Sequence, residues 1–388
     1  MKRVYLLVLI LILFLTGCNK SYYMSDEEIR LIYDKYSKPG TDNDNTIKKP
    51  YDDNQNSYLF GYSTSNGQDI YFDKGTMTVK VDTDAMIYSP LCMTAGCTHM
   101  STLCESKLQK ISMRCHGDGI YFLDGSSICY RDSEGSIKRI YTNTFKTEYT
   151  RKYDETRPSM LYGMMFIDEQ TILVRGLHYF FKYNISTGEK TEPVVLPDGE
   201  ILSSCYMDGA IYSTYNNMRL IKTSLNTGKS QVVSEQGIHP RVIGDRIWYA
   251  KWNDDEVCSL YSNNPEFTDE HLEISDGYVM FEVFGDVLVY EDNAHKSFYL
   301  RYGDGTIEKV FDYADLTYPY NKLPPKYQYD EQKRSPEAEA VIPLTYHDGE
   351  FYFAVPYHVV DKRGFEYEWN HVYKFNKNGE LEELLMGY

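Results

Sequence analysis

One two-part pattern recurs down the whole chain, and it restricts the fold more than any single motif does. A Gly/Asp turn precedes a strand of the form apolar-Tyr-apolar. It appears as "GDGIYF" (Gly117–Phe122), "DGAIYS" (Asp208–Ser213), "GDRIWYA" (Gly244–Ala250), "GDVLVY" (Gly285–Tyr290) and "DGEFYF" (Asp348–Phe353). Weaker copies stand at "GQDIYF" (Gly67–Phe72) and "DEQTILV" (Asp168–Val174). Behind each comes a second strand that closes on a turn: "MTVKVDTD", "ICYRDSEG", "FFKYNISTG", "LIKTSLNTG", "VCSLYSNN", "FYLRYGDG" and "VYKFNKNG". The two halves stay in step along the chain, which chance alternation would not achieve.

The apolar positions alternate with period two, which excludes a helical repeat. The Asp-Gly and Asn-x-x-Gly turns supply the positive φ that tight hairpins need. Each unit therefore reads as four antiparallel strands: an apolar strand in, a Tyr-containing strand back, a third strand, and a polar fourth. One such sheet cannot bury both of its faces, so units must stack face to face, and radial stacking gives a propeller. The expected fold class is all-β: a seven-bladed β-propeller with blades at 57–98, 107–144, 159–196, 200–235, 238–275, 277–312 and 341–387. Six blades or a sandwich are the rival all-β arrangements. The 38 tyrosines suit this reading, because Tyr packs its ring in a sheet and keeps its hydroxyl wet.

Two regions fall outside the repeat. Ser25 to Tyr36 ("SDEEIRLIYDKY") predicts a short helix, with Ser25 and Glu28 as a capping box. Lys38 to Asn56 reads as a polar tether. Tyr313 to Ala340 ("YADLTYPYNKLPPKYQYDEQKRSPEAEA") separates the last two blades and reads as a surface-contact insertion.

The N-terminus, "MKRVYLLVLILILFLTGC", has a basic start and an apolar run from Val4 to Phe14. That run is shorter than the ~20 residues a membrane-spanning helix needs, and has the layout of an export signal. Its ending resembles a bacterial lipobox, which makes Cys18 the expected lipidation site and residues 1–17 the expected signal peptide. Two or three acyl chains would suffice for stable anchoring. The expected location is thus the extracytoplasmic face of a bacterial cell membrane. Loss of Lys2 and Arg3 would take the formal net charge from −17 to −19. Such a surface repels nucleic acid, so the expected partners are the membrane, through the lipid, and a protein, peptide or glycan.

With lipobox, acidic tether and "DGxIYY … IYRYN…TG" blades together, the chain resembles the lipid-anchored β-propeller lipoproteins common in clostridia. These are similar in turn to propellers of the low-density-lipoprotein-receptor type. The resemblance covers the chain from Ser57 onward and implies location and fold rather than activity. Such relatives often carry a short Cys/His cluster after an early blade, which Cys92, Cys97, His99 and Cys104 match in type.

The eight cysteines sort against the repeat. Cys115 and Cys205 precede turn aspartates in a slot filled elsewhere by Met165, Val242 and Val283, while Cys129 and Cys258 sit in third strands. All four read as core residues, since cysteine packs as a small hydrophobe. The segment "LCMTAGCTHMSTLC" has no repeat-derived explanation. Its Cys-x4-Cys-x-His-x4-Cys pattern offers Cys92, Cys97, His99 and Cys104 as a structural zinc set. One disulfide with a spare cysteine, which export favours, and unbonded thiols stay open beside it.

No Gly-x-Ser-x-Gly elbow, phosphate loop or His-Glu-x-x-His occurs, so no catalytic residue is assigned. His178, His347, His358 and His371 read as solvated loop or edge residues. The acidic stretches "KWNDDE" and "FDYADL" read as water-facing turns, with a calcium site as the alternative. Trp248, Trp252 and Trp369 read as core rather than as sugar-stacking residues. The favoured function is a surface-displayed, non-catalytic binding or scaffold propeller. A hydrolase or lyase acting at the propeller axis and an accessory subunit of an envelope complex are the alternatives.

Overall fold

The computed structural model describes residues 63–73, 78–92, 104, 106, 110–145, 160–197, 199–252, 258–292, 296–316, 341–360 and 366–386. The signal segment, the helix expected at Ser25–Tyr36, the tether and residues 317–340 of the late insertion lie outside the described residues.

The described strands form seven four-stranded antiparallel blades arranged in a ring, a seven-bladed β-propeller with almost no helix. Blade 1 is Ser63–Ser65, Asp69–Asp73, Thr78–Asp82 and Ile87–Pro90. Blade 2 is Ile111–His116, Gly119–Asp124, Ser127–Arg131 and Ile137–Thr142, and blade 3 is Gly163–Phe166, Thr171–Arg175, Tyr179–Asn184 and Val194–Val195. Blade 4 is Ile201–Met207, Ala210–Tyr215, Leu220–Ser224 and Ser230–Ser234. Blade 5 begins with Ile238–Ile243, Arg246–Trp252 and Cys258–Asn263. Its fourth strand is the first part of His271–Phe284, which runs on unbroken to become the inner strand of blade 6. Blade 6 continues with Val287–Asp292, Ser297–Arg301 and Ile307–Asp312. Blade 7 is Ile342–His347, Glu350–Val360, Glu366–Phe375 and Leu381–Glu383.

Local chemistry makes these units. Asp208 and Gly209 both adopt positive φ, 48° and 76°, and join Met207 to Ala210 in a two-residue hairpin. That turn's twist matches the strands it connects. Second strands are covered on both faces: Ala210–Tyr215 is buried at every position, so it lacks the in-out alternation of a sheet with one wet face. Outer strands such as Ile137–Thr142 and Ser230–Ser234 are exposed or half-buried.

The core is not central. It is divided into seven apolar clusters, one in each gap between neighbouring blades. Between blades 6 and 7, Phe298, Phe311, Phe353 and Phe351 stack in series, with centroid separations of 5.3, 4.8 and 5.3 Å. Burying one such ring contributes roughly 1.5–3 kcal/mol. Each blade is thus stabilised by its two neighbours, and the ring must close for the first and last blades to be covered.

Closure comes from the C-terminal end of the chain. Leu381–Glu383 completes blade 7, Leu384 is 1% exposed in the cluster between blades 7 and 1, and Leu385–Met386 then pairs in parallel with Ile87–Tyr88. A few consecutive residues therefore belong first to the last blade and then to the outer edge of the first. Near the axis, Ser63 Oγ donates to the Leu344 carbonyl at 2.6 Å.

Strand direction gives the propeller two unlike faces. First-to-second and third-to-fourth strand turns lie on one side, here the turn face. Second-to-third turns and the blade-to-blade links lie on the other, the crossover face. The strand ends that flank the connections from Pro90 to Ile111, Thr142 to Gly163 and Asp312 to Ile342 all lie at the crossover face. So does the hairpin of Glu350–Val360 and Glu366–Phe375, whose pairing runs to Val360↔Glu366. The corresponding strands of the other blades end within seven residues.

Candidate functional site

The residues singled out by sequence fall into two groups. Cys92 follows the outer strand of blade 1 and is half-buried, where Leu91 N donates to Thr78 O at 2.9 Å. Cys104 is 6% exposed, with its Sγ 3.1 Å from Ser106 Oγ, and Ser106 is fully buried. The cluster thus has one foot on the blade 1 edge and one buried in the crossover. Cys97, His99 and Cys18 lie outside the described residues.

The other four cysteines are core residues, as the repeat implied. Cys115 and Cys129 pack between blades 1 and 2, Cys205 between blades 4 and 5, and Cys258 between blades 5 and 6. Burial pushes the Cys205 thiol up to about 12 and the Cys258 thiol to about 11. Thiols so protonated are poor nucleophiles and poor metal ligands.

Around the axis, the inner strands carry bulges near their crossover-face ends. Register shifts occur between Ile111 and Arg114 in blade 2 and between Ile238 and Arg241 in blade 5. Each bulge opens on a non-glycine residue at positive φ, Ser112 at 52° and His239 at 53°, and each re-aims the arginine two residues later. Arg241 is 4% exposed and meets Glu282 of blade 6 through Nε–Oε1 at 2.8 Å and Nη2–Oε2 at 3.0 Å. Arg114 is 2% exposed and donates to the Met113 carbonyl at 2.7 Å. Ser112 Oγ accepts from Met164 N at 3.0 Å and donates to Met164 O at 3.1 Å, tying blade 2 to blade 3. His239 itself is exposed on the strand; desolvation by the protein around it, and then the Arg241 charge, lower its imidazole to about 4, so it is neutral near pH 7.

A third region was not foreseen. On the turn face, between blades 7 and 1, a cleft of about 160 Å³ is framed by Ser65, Gln68, Thr83, Asp84, Thr345, His347, Asp348, Glu350 and Tyr352. Tyr352 donates to Glu350 at 2.9 Å, and burial with that hydrogen bond raises its phenol above the ordinary range. Lys374 bridges Glu350 at 3.4 Å and Glu382 at 3.1 Å. His347 lies 3.3 Å from Asp348. No motif marks this cleft, because its walls come from the two ends of the chain.

Several single-residue expectations change. His371, expected to be solvated, is 4% exposed on the third strand of blade 7, its Nδ1 3.1 Å from Glu383 Oε1. Trp248 is core at 7% exposure, but Trp252 at the end of the same strand is 40% exposed. The carboxylates of "FDYADL" serve a local turn: Asp312 accepts from Ser297 Oγ at 2.5 Å and pairs with Lys309, while Asp315 caps Asp312 N at 2.9 Å. Among the described residues, no group of three or more His, Cys, Asp or Glu is placed to hold a metal ion.

No family model and no curated protein matches the chain. Solved structures do. An oligogalacturonate lyase in complex with manganese is 12% identical, covering 81% of this chain and 90% of that one, with a TM-score of 0.50. The computationally designed protein Ika8 is 8% identical over 84% and 96%, at 0.45. BamB from Moraxella catarrhalis is 14% identical over 80% and 82%, at 0.36. At such identities the likeness to the lyase concerns the fold alone.

Proposed function

We propose that this chain is a lipid-anchored, surface-displayed binding propeller that recognises a protein, peptide or glycan partner through its crossover face. One observation carries the reading: the three longest connections start and end at that face, as does the overlong hairpin of blade 7, while no connection on the turn face exceeds the nine residues between Asn184 and Val194. Loops that exceed what connection requires are where a rigid scaffold presents contact residues. The chain also enters the ring there, at Ser63, so the tether and the contact loops share a side. In this reading Cys18 carries the lipid, and Cys92, Cys97, His99 and Cys104 brace the first crossover, as a zinc set or through a disulfide.

The test is chemical crosslinking on intact cells, comparing the native chain with one whose blade 7 hairpin is cut back to Pro356 and Asn370 and rejoined by Asn-Gly. The pairing Pro356↔Asn370 keeps the remaining hairpin in register. Partner crosslinks should disappear from the shortened chain while its melting transition persists. Crosslinks that survive, or that map to the turn face, overturn the proposal. Acyl labelling that persists in Cys18→Ala would remove the anchoring part on its own.

A further inference from the structure

We infer that Asn378 is a site of spontaneous covalent modification, its side-chain amide converting through a cyclic imide to aspartate and isoaspartate. The same dipeptide at Asn66 is held back by the fold. The inference is independent of the lipid anchor and of any partner on the crossover face.

The chain contains Asn-Gly twice, at Asn66-Gly67 in blade 1 and at Asn378-Gly379 in blade 7. With no Cβ beside it, the glycine nitrogen is unshielded and can reach the asparagine carboxamide. Hydroxide removes the proton from that nitrogen, which then attacks Cγ. The N–Cγ bond forms, the Cγ–Nδ2 bond breaks, and the amide leaves as ammonia. Water opens the imide at either carbonyl, giving aspartate or isoaspartate. Both glycines stand at positive φ, 83° at Gly67 and 75° at Gly379. Both of their N–H groups donate, Gly67 to Ser65 Oγ at 3.1 Å and Gly379 to the Asn376 carbonyl at 3.0 Å. The two nucleophiles are therefore alike.

The carboxamides are not. Asn66 is half-buried, and its Oδ1 accepts from Gln68 N at 3.0 Å and Asp69 N at 2.7 Å. Those bonds must break before Cγ can turn to the Gly67 nitrogen, which lowers the reactive population roughly ten- to a hundredfold. In blade 7 the corresponding task falls to Asn376, whose Oδ1 accepts from Asn378 N at 2.9 Å and Glu380 N at 3.0 Å. Asn376 thus organises the turn and leaves Asn378 outside it. Residues 377–380 are all exposed, and the Asn378 carboxamide makes no hydrogen bond among the described residues.

Conversion there acts on ring closure. The turn feeds Leu381–Glu383, the outer strand of blade 7, and through Leu384 the closing pair Leu385–Met386 on blade 1. Isoaspartate inserts a methylene into the backbone of a turn closed by Asn376 N donating to Glu380 O at 2.9 Å. Either product adds a carboxylate to a turn whose Asn376 amide already holds Glu380 at 3.2 Å and Glu382 at 2.5 Å.

Peptide mapping by mass spectrometry, with isoaspartate read separately, tests this on the purified full chain incubated at pH 8, native and in urea. In the native chain Asn378 should convert at least about tenfold faster than Asn66. In urea the two rates should draw together, because the fold no longer protects Asn66. Asn378→Gln should abolish the product at that position without moving the melting transition. Amide exchange in the converted native chain should quicken in Leu381–Glu383 before blade 4; unchanged exchange there overturns the effect on closure. Asn66 converting as fast as Asn378 in the native chain, a ratio that urea does not alter, or an Asn378 that converts only in urea overturns the assignment of the site.

Discussion

Arg241 of blade 5 holds Glu282 of blade 6 in a two-pronged ion pair, Nε to Oε1 at 2.8 Å and Nη2 to Oε2 at 3.0 Å, across the gap between neighbouring inner strands. The Arg241 side chain is 5% exposed and that of Glu282 18%, so water screens the pair weakly. Removing one member of such a pair leaves the other charge buried, at a cost of about 3 kcal/mol, whereas replacing both with apolar residues is often near neutral. Glu282→Gln should therefore lower unfolding stability by about that amount. The double variant Arg241→Met, Glu282→Leu should lose clearly less than the losses of its own single variants, Arg241→Met and Glu282→Leu, added together. Urea denaturation across this double-mutant cycle measures the coupling. Additive losses would show that the pair does not join the two blades energetically.

The closing strand has a similar test. Leu385 and Met386 pair in parallel with Ile87 and Tyr88, and Leu384 is 1% exposed beside them. Leu384→Ala should cost about 2–5 kcal/mol, the range for emptying a buried leucine site. Deleting 385–388 should speed amide exchange first in blade 1 and in the outer strand of blade 7, before any change in blade 4. Hydrogen exchange read by mass spectrometry would show this. Uniform acceleration around the ring would mean that closure depends on the inner strands alone.

How much of this was legible in the sequence follows from the range of the forces involved. Asp208-Gly209 declares its turn because positive φ is a local demand. Cys205 and Cys258 were placed in the core because their slots hold apolar residues in other copies of the repeat, and both are buried. The parallel seam of Leu385 with Ile87 leaves no such mark, since it joins the two ends of the chain through backbone bonds that any side chain permits. His371 looks like a solvated residue in "WNHVYKF", yet its neighbour across the sheet, Glu383, lets it sit buried. The turn-face cleft was invisible for the same reason: it exists only when blade 1 meets blade 7.

His239 should make a modest contribution to the acid limb of stability, reduced by solvent screening because the residue is exposed. Its folded pKa is lowered to about 4, against about 6.5 in an unfolded chain. The unfolded state therefore takes up a proton first as pH falls. The contribution is complete above about 6.5, shrinks below that, and is lost as pH passes through about 4. His239→Asn keeps a residue type that tolerates the positive φ of 53° while removing the titration. The variant should show a flatter stability curve between pH 6.5 and pH 4 in urea midpoints taken at each pH. A curve parallel to that of the native chain would sink the assignment.

Alkali should act through groups of the opposite kind. Burial raises the phenols of Tyr71, Tyr212 and Tyr352 above the ordinary value of about 10, and the Cys205 thiol to about 12. In the unfolded chain, thiols ionise near pH 8.5 and phenols near about 10, while in the folded chain they stay protonated. The unfolded state loses protons first, so the stabilisation is fully present below about 8.5 and declines as pH rises through 9 and beyond. A pH titration followed by tyrosinate absorbance should show an early rise from exposed tyrosines. A late cooperative step, coincident with loss of the far-ultraviolet β signal, should then follow as the buried rings ionise on unfolding. The same groups predict that Cys205 and Cys258 ignore an aromatic disulfide reagent at pH 8 until denaturant is added. A smooth single-phase absorbance curve, or reaction of those two thiols in the native state, would show that the gaps between the blades admit water.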